Sequence, residues 1–247
     1  MKNVSVKFLG SGDAFGSGGR FQTCIFVNSG EIGFLLDCGA SSLIAMKQFG
    51  VSPSDVETIL ITHLHGDHFS GIPFFILDSQ LISRRTKPLI IAGPPGLEDR
   101  IHRAMEVLFP GLSQVEQRFR IEVTELPEDV TTKLGALLVT PELVVHASGA
   151  PAYALRVQIL GKTIVYSGDT EWTDRLTKVA DGADLFICEA YFYDKKIKFH
   201  LDYQTLLNHR EEIDCKRIIL THMNEDMLGR VDSLGVEYAE DGKVIEL

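Results

Sequence analysis

The stretch ILITHLHGDHFSG, residues 59–71, places three histidines and one aspartate within positions 63–68, directly behind an apolar β-forming run. Neutral imidazoles and carboxylates are the usual donors to zinc and other first-row metals. In an extended chain the period of two points His63 and His65 to one side. Gly66 is expected to let the chain bend sharply, so that Asp67 and His68 turn towards the same space. A lone histidine is more often satisfied by local hydrogen bonds, and a solvated polar turn accounts for one or two. This density of donors behind a run too apolar for the surface points instead to a metal site. The cluster alone does not fix whether it holds one ion or two.

Such a loop needs strands to carry it, and short β-like runs recur along the chain: VSVKFL, TCIFV, GFLLD, ETILIT, PLIIA, LVTPELVVH, YALRVQIL, KTIVYS, DLFIC and KRIILT. Helical spacing appears between some of them, in SSLIAMKQF, FILDSQLISRR, GLEDRIHRAMEVLF, TDRLTKVA and YQTLLNHREE. The mixture predicts sheets with helices outside, and no low-complexity linker divides it. The apolar residues of IPFFILDSQLISRR, Phe74 and Phe75 among them, belong to a core face more readily than to a gate.

An internal echo suggests two related halves. ETILITHLHGDH and KRIILTHMNEDM both run a strand into Thr-His, with Asp67 and Asp226 each four positions beyond that histidine. GFLLDCG and TIVYSGD each end a strand in a small-residue turn carrying an aspartate. Strand ends that converge are where α/β folds commonly place chemistry.

With 45% hydrophobic and 23% charged residues over 247 positions, the composition is that of a globular α/β protein. The N-terminal MKNVSVKFLG has too short an apolar run for a signal peptide or a membrane span, so a cytoplasmic location is the default. Cys24, Cys38, Cys188 and Cys215 form no C-x-x-C pair and sit in or beside apolar runs, which reads as buried reduced thiols. A net charge of -10 argues against gripping long nucleic acid by phosphate neutralisation alone. The loop LGSGDAFGSGGRF, residues 9–21, misses the dinucleotide fingerprint, because Gly10, Gly12 and Gly16 make G-x-G-x-x-x-G, and no P-loop lysine follows.

The cluster resembles the H-x-H-x-D-H signature of the metallo-β-lactamase superfamily, and the likeness extends along most of the chain. Asp37 in FLLDCG matches the family's earlier aspartate, His146 in ELVVHAS its third histidine, Asp169 in YSGDT its bridging aspartate and His222 in ILTHM its last histidine. The resemblance implies an α/β fold, a four-layer αββα sandwich from two related halves, as a single domain over residues 1–247. It implies that His63, His65 and His146 bind one metal, that Asp67, His68 and His222 bind a second, and that Asp169 bridges them. Asp37 would orient ligands by hydrogen bonds. Two divalent ions follow, zinc first, with manganese or iron also suited to N/O donors; such a pair can share a hydroxide and stabilise charge on attacking and leaving oxygens.

Two features resemble the tRNase Z-like branch of that superfamily. The G-S-G-x-A loop is similar to an N-terminal loop lying beside the active site, where backbone amides or Arg20 could meet an anionic substrate. In CEAYFYDKKIKFHLDYQTL, Glu189 and His200 match a carboxylate and a proton-donating histidine near the metals, although Asp202 stands where a hydroxyl residue is usual. A positioned imidazole with a carboxylate partner is a sound general acid. The resemblance thus gives catalytic roles to Asp67, Glu189 and His200. One departure limits it: only 22 residues separate His146 from Asp169, and they read as plain strands where tRNase Z carries its tRNA-gripping arm. Lys195, Lys196 and Lys198 make too small a cluster to replace that arm.

The expected activity is therefore a dinuclear metal-dependent hydrolase, a phosphodiesterase acting on a small or flexible anionic substrate, with tRNA disfavoured. Hydrolysis of a carboxylic ester, lactone or thioester is the alternative within the same chemistry, and a mononuclear iron thiol-linked dioxygenase is the alternative outside it. The full ligand set argues against a non-catalytic module. His68 argues against β-lactam hydrolysis, because the classical enzymes lack that second histidine. Dimers are common in the branch, so a homodimer is compatible with the sequence.

Overall fold

In each of two sheets three antiparallel strand pairings give way to three parallel ones, and this repeated pattern sets the architecture. The structure, a computed structural model, describes residues 3–247, so Met1 and Lys2 of the N-terminal segment lie outside the described residues. The first half holds β1 (Ser5–Gly10), β2 (Cys24–Asn28), β3 (Gly33–Leu36), α1 (Ser42–Gln48), β4 (Val56–Leu60), α2 (Gly66–Phe69), α3 (Ile72–Leu81), β5 (Leu89–Gly93), α4 (Leu97–Leu108) and β6 (Ile121–Glu125). The second holds β7 (Thr132–Leu134), β8 (Leu137–Leu143), β9 (Tyr153–Ile159), β10 (Lys162–Tyr166), α5 (Arg175–Ala180), β11 (Leu185–Glu189), α6 (Tyr203–Asn208), β12 (Ile218–Thr221), α7 (Glu225–Leu228) and β13 (Glu237–Tyr238). The last strand, β14 (Val244–Glu246), returns to the first sheet.

The sheets run β14-β1-β2-β3-β4-β5-β6 and β7-β8-β9-β10-β11-β12-β13. Pairings β14/β1, β1/β2 and β2/β3 are antiparallel and β3/β4, β4/β5 and β5/β6 parallel. The other sheet repeats this with β7/β8, β8/β9 and β9/β10 antiparallel and β10/β11, β11/β12 and β12/β13 parallel. By this register β3 corresponds to β10, so GFLLD and TIVYSGD do occupy equivalent strands. The Thr-His echo does not: β4 corresponds to β11, whereas KRIILTH forms β12. Two non-equivalent strands of different sheets run into Thr-His, and each brings an imidazole to the same cluster.

Alternate residues of each strand face different layers. Phe34 and Leu36 of β3 join Leu60, Val139, Leu155, Tyr166 and Ile187 in the core between the sheets. Leu35 packs outward with Met46, Phe75 and Ile101 beneath α1, α3 and α4. Val165 and Phe186 pack outward with Leu176, Val179 and Leu206 beneath α5 and α6. Four αββα layers result, and burial on both faces explains why β3 and β11 read as nearly continuous apolar runs. Among the described residues no helix is long and apolar enough to cross a membrane.

Departures from the sequence reading cluster at element ends and sheet edges. Strands β6, β7, β13 and β14, which carry no clear strand signal in the sequence, are the four edge strands, mostly short and charged. Helix α3 starts at Ile72 with Pro73 in its first turn and stops before ISRR, where Arg85 turns back onto the carbonyls of Lys87, Pro88 and Pro53. Between His146 and Asp169 lies the β9/β10 hairpin, whose two turn residues Leu160 and Gly161 have φ 49° and 76°.

Candidate metal centre

The loop after β4 emerges beside Asp37, which follows β3 with φ 58°. The Asp37 carboxylate accepts from the Thr62 amide (2.8 Å), the Thr62 hydroxyl (2.8 Å) and His68 Nδ1 (2.7 Å). That last bond keeps a proton on His68 Nδ1 and turns Nε2 inward. His63 and His65 lie with ring centroids 4.9 Å apart. The sharp bend expected at Gly66 is absent. Gly66 opens the helical turn α2, has no left-handed φ, and an added Cβ there would meet nothing closer than 3.8 Å. Helical winding, rather than a glycine kink, brings Asp67 and His68 round.

The second half supplies its side chains one at a time from strand ends. His146 follows β8, Asp169 follows β10, Glu189 ends β11, and His222 follows β12 with φ 58°. Gly168, at φ 58°, brings the end of β10 against β4, where a Cβ would sit 2.9 Å from the Tyr153 carbonyl and 3.0 Å from Thr62. Only glycine fits there, and Asp169 is placed as a result. His146 Nε2 faces His65 Nδ1 at 3.0 Å. Asp169 lies between the groups: Oδ1 is 3.3 Å from His68 Nε2, and Oδ2 is 3.3 Å from His222 Nε2 and 3.9 Å from His63 Nε2. Asp67 Oδ2 is 3.2 Å from His68 Nε2.

The donor atoms of His63, His65 and His146 lie within 4.8 Å of one another, as do those of Asp67, His68, Asp169 and His222, and those of Asp169, Glu189, His200 and His222. The seven expected ligands thus meet in one space together with Glu189 and His200. Their outward nitrogens are engaged as well: His63 Nδ1 with Thr62 Oγ1 (3.1 Å), His146 Nδ1 with the Phe199 carbonyl (2.8 Å) and His222 Nδ1 with Thr23 Oγ1 (3.3 Å). His63 Nε2, His68 Nε2 and Asp169 Oδ1 are buried without a hydrogen-bond partner. The 3.3 Å approach of the last two is not aligned as a bond. Orphaned buried polar atoms cost about 1–3 kcal/mol each, and here they converge, which is the arrangement a cation satisfies. The residues fit divalent metal binding.

Electrostatics agree with that fit. Burial, then the charge of His68, holds His63 well below the usual histidine range, so it presents a neutral lone pair. Burial also lowers His146. At His68 burial works downward, but Asp169, Asp67 and Asp37 outweigh it and raise the imidazole well above its ordinary value. Burial pushes Asp169 up, yet His222 and His68 hold it well below the carboxylate range. Asp67 is lowered against burial by His68. A pocket so rich in carboxylate draws positive charge, and a divalent ion competes with the proton on His68 for it.

Beside these groups, fully buried Glu189 accepts from the Thr170 (2.8 Å) and Leu201 (3.2 Å) amides through Oε2, leaving Oε1 to His200 Nδ1. Burial lowers the His200 imidazole, but the Glu189 hydrogen bond and charge prevail and raise it to about 9. Burial and Asp169 raise Glu189. Asp202 has a separate task that explains its carboxylate: it caps α6, accepting from the Thr205 amide (2.9 Å) and hydroxyl (2.7 Å).

A cleft of about 200 Å³ opens onto these residues, lined by Asp13, Ala14 and Phe15 together with His65, Asp67, Asp169, Tyr191, His200 and His222. The glycine loop therefore does lie beside the site. Buried Asp13 ties it by accepting from the Phe15 amide (3.1 Å) and the Ser17 amide (3.0 Å) and hydroxyl (2.8 Å). Arg20 is turned away, its guanidinium donating to the Ala239 carbonyl (2.6 Å) and Ser11 Oγ (3.3 Å). Phe75 is core, and Phe74 packs on Phe109 at 5.2 Å. The aromatic at the mouth is Phe15, 83% exposed; the Tyr191 ring lies tilted against His200, centroids 4.7 Å apart. Neither stands out in sequence, although Tyr191 lies two positions past Glu189. All four cysteines are free thiols.

Known proteins resemble this chain in sequence and in fold. The chain is 30% identical over 268 residues to ribonuclease Z of Methanothermobacter thermautotrophicus, covering 90% of this chain and 87% of that one. Human tRNase Z, short form, superposes with a TM-score of 0.78 at 26% identity over 98% of both chains. The metallo-β-lactamase fold protein YhfI from Bacillus subtilis superposes with a TM-score of 0.80 at 20% identity over the whole of both chains, a likeness of fold. The chain is a metal-dependent hydrolase of the metallo-β-lactamase superfamily, similar to tRNase Z. Residues 4–244 match the sequence profile described as anti-Pycsar protein Apyc1, and it is to that family that the chain belongs.

Proposed function

We propose that residues 1–247 form a single domain that hydrolyses small phosphodiesters with two divalent ions, zinc first among them. The observation that carries this reading is Asp169, whose two oxygens face His68 and His222 at 3.3 Å and His63 at 3.9 Å. His63, His65 and His146 would hold one ion, Asp67, His68 and His222 the other, and Asp169 both. When bound, such a pair lowers the pKa of an attacking water and withdraws charge from the phosphoryl oxygens. Asp67, on the cleft wall, orients that water as a hydrogen-bond acceptor. His200 gives its proton to the departing alkoxide, which leaves as an alcohol. Glu189 keeps His200 Nδ1 protonated and its ring in place.

The cleft and the charge support a small substrate. A cleft of about 200 Å³ takes a phosphodiester and its nearest substituents. The β9/β10 hairpin offers no tRNA-gripping arm, and the net charge of -10 offers no basic track. Ribonuclease Z relatives keep RNA among the substrates to be tried.

The test is metal quantitation alongside bis(4-nitrophenyl) phosphate, a cyclic nucleotide, a lactone, a thioester and an unprocessed tRNA. Two zinc ions per chain and turnover of the small phosphodiesters are expected. Preference for the lactone or thioester replaces phosphorus by acyl carbon as the target, and one iron per chain with no hydrolysis overturns the reading. Asp67→Ala and His65→Ala should each abolish hydrolysis with the far-ultraviolet spectrum unchanged; full activity in either sinks the ligand assignment.

A further inference from the structure

The loop between β11 and α6 carries His200, and the residue before it holds an uncommon backbone. Phe199 has φ 72°, a left-handed conformation that costs a bulky residue energy and persists only where its surroundings over-determine it. Its surroundings do so from both sides. The Phe199 amide donates to Glu171 Oε1 at 2.8 Å, and its carbonyl accepts from His146 Nδ1 at 2.8 Å. The next residue, His200, is held by Glu189.

Glu171 is anchored in turn to the segment that carries His146. Its amide donates to the Val145 carbonyl at 3.1 Å, and the Val145 amide donates to Thr170 Oγ1 at 3.1 Å. The Thr170 hydroxyl donates to the Glu171 carbonyl at 2.6 Å. Val145 adjoins His146 and Thr170 adjoins Asp169, so one knot of hydrogen bonds joins two proposed ligands to the loop of the proposed acid. The bonds at Glu171 within this knot are made by its main chain and fix where its carboxylate, which accepts from the Phe199 amide, is held.

Resting on the two-ion reading above, we infer that Glu171 and the Phe199 main chain form a positioning relay that couples the His63/His65/His146 group to His200. Glu171 fixes the Phe199 peptide, and the Phe199 carbonyl fixes the His146 tautomer with Nε2 bare. The same peptide sets where His200 begins. Coupling of this kind is reciprocal: an ion at His146 steadies the loop, and a steady loop tightens the ion.

Glu171→Ala is expected to weaken zinc binding about tenfold, read by chelator competition, the scale of lost outer hydrogen bonds at metal ligands. It should also steepen the dependence of rate on leaving-group pKa. Glu171→Gln keeps an acceptor oxygen and should restore zinc affinity. Phe199→Gly takes the left-handed backbone freely, keeps both main-chain groups, and should retain affinity too. A Glu171→Ala protein that melts earlier but binds zinc as the wild type does would make the residue merely structural and overturn the relay. Failure of the wild type to bind zinc would instead remove the two-ion reading. The relay is then judged in metal-free protein by hydrogen exchange: Glu171→Ala and His146→Ala should each speed exchange at Phe199 and Leu201, and unchanged exchange overturns it.

Discussion

The two halves of the molecule share one strand pattern and deliver their candidate metal-binding side chains in different ways. The first spends one loop, in which His63, His65, Asp67 and His68 follow β4 within six positions. The second spends one strand end for each residue, with His146, Asp169 and His222 following β8, β10 and β12. Donors on one loop are held in mutual register by local chain geometry. Donors on separate strands depend for their mutual register on the packing of a whole sheet. The first half therefore presents a preformed group, and the second decides how that group is completed.

Asp169 is where the two modes meet, so its loss should separate them most. Asp169→Ala removes the carboxylate that faces His63, His68 and His222, and hydrolysis should fall by about 10³-fold or more. Metal analysis of the same variant should return fewer than two ions per chain. Retention of two ions with only a modest rate loss would show that the halves bind independently.

His200 tests the second half alone. His200→Ala should slow diesters with alkyl leaving groups by about 10²-fold or more, the usual worth of a positioned acid. Bis(4-nitrophenyl) phosphate, whose leaving group needs no proton, should lose far less. Equal losses on both would remove the acid role and leave His200 as a positioning side chain. Metal content should be unaffected, because the donors of both proposed ions remain.

The same contrast explains what was legible in the sequence. The first-half cluster announces itself because its chemistry is contiguous, and the apolar runs of β3, β4, β10 and β11 are plain because both their faces are buried. His146, Asp169 and His222 are single polar residues after ordinary strands, visible only once a family pattern assigns them. Glu189 and His200 are visible in the same way. Asp13, Phe15 and Tyr191 reach the cleft because loops far apart in sequence approach one another, and no local spacing records that approach. The Thr-His echo misleads for the opposite reason: local similarity after β4 and β12 reflects imidazoles brought to one cluster from two sheets, not equivalent places in the repeat. Gly66 misleads because glycine is permitted in a helical first turn as well as in a kink, and residue type cannot choose between them. The edge strand IEVTE is half-buried and charged, so its apolar period is weak.

The smallest expected effects lie in how each half orients its imidazoles. The first half uses a buried carboxylate, Asp37, on His68 Nδ1 at 2.7 Å beside a neutral partner, the Thr62 hydroxyl, on His63 at 3.1 Å, whereas the second uses neutral groups alone, the Phe199 carbonyl on His146 and the Thr23 hydroxyl on His222 at 3.3 Å. Asp37→Asn is a clean probe, since asparagine tolerates the left-handed φ of 58°. One amide oxygen can still accept from Thr62, but the amide NH₂ then meets the His68 Nδ1 proton. His68 must move its proton to Nε2 or turn, and either change removes a bare donor from the site. Zinc affinity should fall about tenfold by chelator competition, within the range of outer-partner mutations. Thr23→Val takes away only a neutral partner at longer range, so its loss should be smaller than that of Asp37→Asn. If the two variants lose equally, a charged partner gives the first half no advantage over a neutral one, and the difference between the halves reduces to where their donors sit in the chain.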